Sequence, residues 1–143
     1  MSRDAIVAAA RGWIGTPYLH QASLKGVGCD CLGLLRGVWR ETVGPEPEPV
    51  PPYAQDWPLA RRDETLLAAA LRHLTPRPVA ELSPGDALVF RWRDHLPASH
   101  LAIAAPGARM IHAHDGACVA EVPLTDAWRR RLAGVFAFPR RDA

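Results

Sequence analysis

Cysteine and histidine are the residue types in this chain best suited to covalent chemistry. Cys31 follows Asp30, a good helix-capping residue, and precedes Leu34, Leu35, Val38 and Trp39 at helical spacing. A thiol in the first turn of a helix meets unpaired backbone donors and the positive end of the helix dipole, which lower its pKa and favour a nucleophilic thiolate. A buried structural cysteine is the alternative. His100 and His112 stand six residues either side of Pro106, and Pro106-Gly107 reads as the turn of a hairpin over 99–113. With Pro106 at the midpoint, the two imidazoles face each other across the strands with Cβ atoms about 4.5–5.5 Å apart on one sheet face. Leu101, Ile103 and Ile111 are then left for the core face. Thiol catalysis needs a nucleophile, a base and a group that orients the base, and Cys31, His100 and His112 supply all three. Taken singly, each histidine reads more readily as a hydrogen-bonded strand residue than as a catalytic one, and it is their symmetric placement that favours catalysis.

The same residues offer a rival chemistry. His112 and His114 alternate along one strand, and Cys29, Asp30, Cys31 and Cys118 are available to complete a zinc site. His20, His73 and His95 read as loop or helix-surface residues for which the sequence names no partner, and the tryptophans as core or rim.

These groups are positioned by helices first and strands afterwards. Ser2 caps a helix over 3–14 that carries Ile6, Val7, Ala10, Trp13 and Ile14 and stops at Gly15-Thr16-Pro17. The Cys31 helix follows. Between Gly44 and Pro58 the repeated prolines permit only an extended surface loop. A third amphipathic helix covers 63–74, ended by Thr75-Pro76. Ser83-Pro84-Gly85-Asp86 then turns into a strand over 87–92, followed by strands at 99–105, 109–115, 117–122 and 134–138. This order predicts an α+β domain with an antiparallel sheet, in one unit spanning 1–143.

Composition removes several classes of function. With 143 residues, 48% hydrophobic and 22% charged, the chain suits one globular core. The net charge is +2, with 17 basic residues of which only Lys25 is lysine, too mild a balance to argue nucleic acid. No apolar run is long enough to span a membrane, and Met1-Ser2-Arg3-Asp4 does not open a secretory signal, so synthesis and folding in the cytoplasm are expected. An odd number of cysteines, Cys29, Cys31 and Cys118, argues against a disulfide framework.

Five segments in order resemble the NlpC-type cell-wall peptidases, small papain-like cysteine peptidases that cut peptidoglycan stem peptides. They are Gly15-Thr16-Pro17-Tyr18, Gly28-Cys29-Asp30-Cys31-Leu32-Gly33-Leu34, Ser83-Pro84-Gly85-Asp86-Ala87-Leu88-Val89-Phe90, His100-Leu101-Ala102-Ile103 and Met110-Ile111-His112-Ala113. The resemblance implies N-terminal helices packed on a central antiparallel sheet, Cys31 as nucleophile, His100 as base, and His112 as the residue that orients it. It further implies that Tyr18 helps hold the oxyanion and that Asp30 binds the free amino end of the stem peptide. No cofactor or metal is implied. Tyr18 as a packed loop aromatic and Asp30 as a helix cap are the plainer readings. Leu32 stands where that family usually has serine, and His20-Gln21-Ala22 replaces its usual aromatic and glycines.

The segment from Thr16 to Cys31 and the proline loop most resemble the phage-encoded branch, including prophage and gene-transfer-agent tail peptidases. That likeness implies a tail component, with phage-like tail proteins as partners, opening the wall locally in the periplasm as DNA passes in. A non-enzymatic tail-assembly protein, a zinc-dependent hydrolase and an acyl transferase are the alternatives.

Overall fold

The computed structural model describes residues 2–50, 64–114 and 116–139. Most of the predicted loop from Pro51 onward, Asp63 and Asp115 lie outside the described residues. Helix α1 (Arg3–Arg11) is capped by Ser2, whose hydroxyl accepts from the Ala5 N–H, and it ends three residues before the predicted Ile14. Trp13 is still buried in the turn beyond it, its indole N–H donating to Glu41 Oε2 at 2.7 Å. Helix α2 (Cys31–Thr42) is capped by Asp30, and α3 (Thr65–His73) falls within the predicted third helix.

Six strands form one antiparallel sheet: β3 (Thr75–Arg77), β4 (Ala87–Phe90), β5 (His100–Ala105), β6 (Arg109–His112), β7 (Ala120–Pro123) and β8 (Leu132–Ala137), in the order β3-β8-β4-β5-β6-β7. A separate two-stranded ribbon joins β1 (Ser23–Leu24) to β2 (Gly28–Cys29) ahead of α2. Thr75-Pro76, read from sequence as a helix stop, also starts the edge strand β3, where proline's missing donor is tolerated. A short helix, α4 (Asp126–Arg129), was not predicted, although Thr125 caps it by accepting from the Trp128 N–H.

Every residue of β4 and β5 is buried, because both faces of the sheet are covered. Ala87, Val89, Leu101, Ile103, Ile111 and Phe136 pack with Ile6, Val7, Ala10, Leu34 and Val38 of the first two helices. On the other face Leu88, Phe90, Ala102, Ala104, Met110 and Val135 meet Leu124, Trp128 and Leu132. Gly37 lets α2 lie against Trp13: a Cβ there would run into the indole.

Asp86, fully buried at the start of β4, ties the first helix to the sheet. Its Oδ1 accepts from Arg3 Nη1 at 2.6 Å, and its Oδ2 accepts from Arg77 Nε at 3.2 Å and the Ser83 N–H at 2.9 Å. Removing the carboxylate takes the anionic partner from two part-buried guanidiniums, which keep only neutral oxygen acceptors, and the side-chain acceptor from the Ser83 N–H, so Asp86→Ala should cost about 3 kcal/mol. Urea denaturation measures it, and a loss below about 1 kcal/mol would show the network to be dispensable.

Candidate functional site

The hairpin β5–β6 pairs Ile103 with Ile111 and Ala105 with Arg109, so its midpoint is Gly107 and not Pro106. Pro106-Gly107-Ala108 forms the loop, with Gly107 and Ala108 at φ of +78° and +54°. The predicted face-to-face pairing of His100 and His112 is therefore corrected to a diagonal one. Moving the midpoint by one residue shifts the pairing by two, which preserves the face. The two rings lie edge to face with centroids 5.2 Å apart, and His100 Nε2 is 2.9 Å from His112 Nδ1. Both side chains are buried, at 5% and 6% exposure.

Two tryptophans read from sequence as core or rim pack around this pair. Trp92 and Trp128 stack on His100 at centroid distances of 5.6 and 5.5 Å, and Trp128 meets the edge of His112 at 5.5 Å. The usable signal for Trp128 was the Thr125-Asp126 cap, which places it on a short helix. Burial drives the His100 imidazole down to about 3, with His112 and His114 adding to the effect, and burial with His114 drives His112 to about 4. Both rings are neutral at pH 7.

Cys31 opens α2, and α2 packs on β5. The sulfur sits by the backbone of Leu101, the residue after His100. Its thiol is pushed up to about 12, first by burial and then by the Asp30 carboxylate; the backbones of Leu101, Leu32 and Cys31 act in the opposite sense. The sequence expectation of a lowered pKa is thus overturned, because loss of water outweighs the few amides at the helix start. Cys29 is buried and likewise pushed up to about 12, while Cys118 is exposed. Among the described residues no hydrogen bond joins Cys31 to His100 or His112, so the structure assembles the imidazole pair and leaves the thiol beside its strand.

Asp30 realises the helix cap: Oδ1 accepts from the Gly33 N–H at 2.7 Å and Oδ2 from the Gln21 N–H at 2.8 Å. Tyr18 bridges to Cys29 through its backbone, and its side chain packs against the same core as Cys31. His20 and His73, for which the sequence named no partner, face Asp30 Oδ2 at 3.9 Å and Glu48 Oε1 at 3.1 Å. The zinc grouping drawn from sequence also changes. Among the described residues the cluster that could hold a metal is His100, His112 and His114, with no cysteine or carboxylate in it.

No protein-family model and no curated protein matches this sequence. Solved structures do. An NlpC/P60 family protein from Bacillus cereus aligns over 96% of this chain and 40% of its own length, with a TM-score of 0.70 and 19% identity. The NlpC/p60 domain of the peptidoglycan hydrolase SagA aligns over 96% of this chain and all of its own, with a TM-score of 0.66 and 23% identity. The peptidoglycan hydrolase RipB from Mycobacterium tuberculosis aligns over 97% of this chain and 65% of its own, with a TM-score of 0.62 and 20% identity. The chain therefore has the papain-like NlpC/P60 fold, helices on an antiparallel sheet as the sequence led us to expect. It spans less than half the length of the Bacillus cereus protein.

Proposed function

We propose that this protein is a cysteine endopeptidase that hydrolyses peptidoglycan stem peptides, cutting the bond between γ-D-glutamyl and a diamino acid. The observation that carries the reading is the 2.9 Å contact between His100 Nε2 and His112 Nδ1 on the strand that adjoins Cys31. For His100 to accept a proton on Nδ1 it must hold its own hydrogen on Nε2, and His112 Nδ1 is placed to accept that hydrogen. The likeness to peptidoglycan hydrolases in fold supports the substrate class.

In the reaction the Cys31 proton passes to His100 Nδ1 as the sulfur attacks the γ-glutamyl carbonyl carbon. The Cys31 backbone N–H and Tyr18 hold the developing oxyanion. His100 then returns the proton to the leaving amine of the diamino acid, and water, activated by the same ring, releases the acyl group and restores the thiol. Asp30, which accepts from the Gly33 and Gln21 N–H groups, is assigned to the amino end of the stem peptide on the family likeness. Both reacting groups rest in their neutral forms, and among the described residues no hydrogen bond joins them, so in this mechanism thiol and imidazole approach when substrate binds.

In this proposal the protein is made in the cytoplasm and acts in the periplasm or cell wall as a component of a phage-like tail, opening the wall as DNA passes in. The Thr16–Cys31 segment supports that placement through its likeness to tail peptidases. A non-enzymatic tail-assembly role is the second reading, favoured by the protonated thiol. Mass spectrometry of fragments released from Gram-negative sacculi separates the two. We expect cuts beside the diamino acid with the native protein and none with Cys31→Ala; equal release by both would refute the assignment.

A further inference from the structure

We propose that His100, His112 and His114 together form a binding site for one divalent transition-metal ion of the zinc class, and that an ion held there switches the peptidase off. The binding claim stands on the three rings alone; only the inhibition rests on the proposed function.

One ligand nitrogen from each ring lies within 4.8 Å of the other two. Around zinc, with Zn–N bonds of about 2.0–2.1 Å, tetrahedral ligand nitrogens stand about 3.3 Å apart. His100 Nε2 and His112 Nδ1, at 2.9 Å, need to open by only a few tenths of an ångström. The third ligand has more freedom. His114 lies beyond the end of β6 and is exposed, so its ring can swing inward without disturbing the sheet. It already stacks on His112 with centroids 5.5 Å apart and meets the edge of His100 at 5.9 Å. Three imidazoles without a carboxylate favour zinc, copper or nickel over magnesium or calcium. The exposed flank at His114 gives an ion access and leaves a fourth position to water, while Trp92 and Trp128 shield the ring faces.

The inhibition follows from where the ring hydrogen must go. A metal on His100 Nε2 takes the lone pair of that nitrogen, so the hydrogen of the neutral ring moves to Nδ1, with no net gain or loss of a proton. Nδ1 is the atom that has to accept the Cys31 proton. The same ion occupies His112 Nδ1 and removes the contact that orients His100. Metal binding and base catalysis therefore exclude each other.

The test uses the full chain without a histidine tag, stripped by chelator. Calorimetry with Zn2+ should show one ion per chain with micromolar or tighter affinity. His114→Ala should weaken it by at least about tenfold, and Cys31→Ala should leave it unchanged. Co2+ should give visible bands without a thiolate charge-transfer band. Absence of saturable binding, equal binding by His114→Ala, or a thiolate band would each overturn the site. In the stem-peptide assay Zn2+ should suppress the native enzyme, chelator should restore it, and His114→Ala should resist. Activity that survives saturating Zn2+ would overturn the switch alone, and a protein inactive throughout would defeat the peptidase reading while calorimetry still judged the site.

Discussion

At pH 7 Cys31 is expected to react with iodoacetamide roughly fiftyfold more slowly than an unperturbed cysteine. The thiol is raised from 9.0 to about 12, so its thiolate fraction at neutral pH falls about a thousandfold. The more basic thiolate is the better nucleophile, which returns about twentyfold. The sign fixes the pH profile. A proton held more tightly than usual is lost later, so labelling should climb about tenfold per pH unit through pH 9 with no plateau. Peptide-mapping mass spectrometry resolves Cys31 from Cys29 and Cys118. Rapid labelling at pH 7 with a plateau below pH 8 would mean a preformed thiolate–imidazolium pair, contrary to the burial that dominates here.

The second large effect concerns the imidazole pair. His100→Ala should lower kcat/KM on a stem peptide by about 10³–10⁴, the full contribution of a positioned base. In the proposed mechanism His112 acts through His100 as a positioning residue, so His112→Ala should cost less, on the order of 10². His112→Gln offers an amide oxygen to the His100 Nε2–H and should recover part of that loss, whereas a purely structural role would give no such rescue. Circular dichroism checks that each variant folds. A His100→Ala enzyme within threefold of native would remove His100 from the mechanism.

The helices and strands were legible because each carries a local signal. Ser2 and Asp30 are side-chain caps whose geometry the structure reproduces. The buried strands read as apolar runs bounded by Ser83-Pro84-Gly85-Asp86 and Pro106-Gly107. The hairpin midpoint was misread by one residue because Pro106 was placed at the centre of the turn, whereas the loop is Pro106-Gly107-Ala108, with Ala108 at φ +54°. His100 and His112 still met, since register errors of two residues keep side chains on their face.

What sequence could not show came from long-range packing. Nothing local marks Trp92 and Trp128 as neighbours of His100, because one follows β4 and the other sits after β7. The direction of the Cys31 pKa was lost for a similar reason. Helix position is visible in a sequence, but the loss of water around a side chain is set by distant strands. Asp30 showed its capping role plainly; the Gln21 amide on its second oxygen needed the folded loop.

The central claim is that Cys31 is the atom acylated by a stem peptide. The most direct measurement is peptide-mapping mass spectrometry after incubation with L-Ala-γ-D-Glu bearing a chloromethyl ketone at its γ-carboxyl. The account predicts one adduct per chain, on Cys31, formed much more slowly in His100→Ala. An adduct on Cys29 or Cys118, or hydrolysis of the natural stem peptide with Cys31 left unmodified by the saturating analogue, would contradict it.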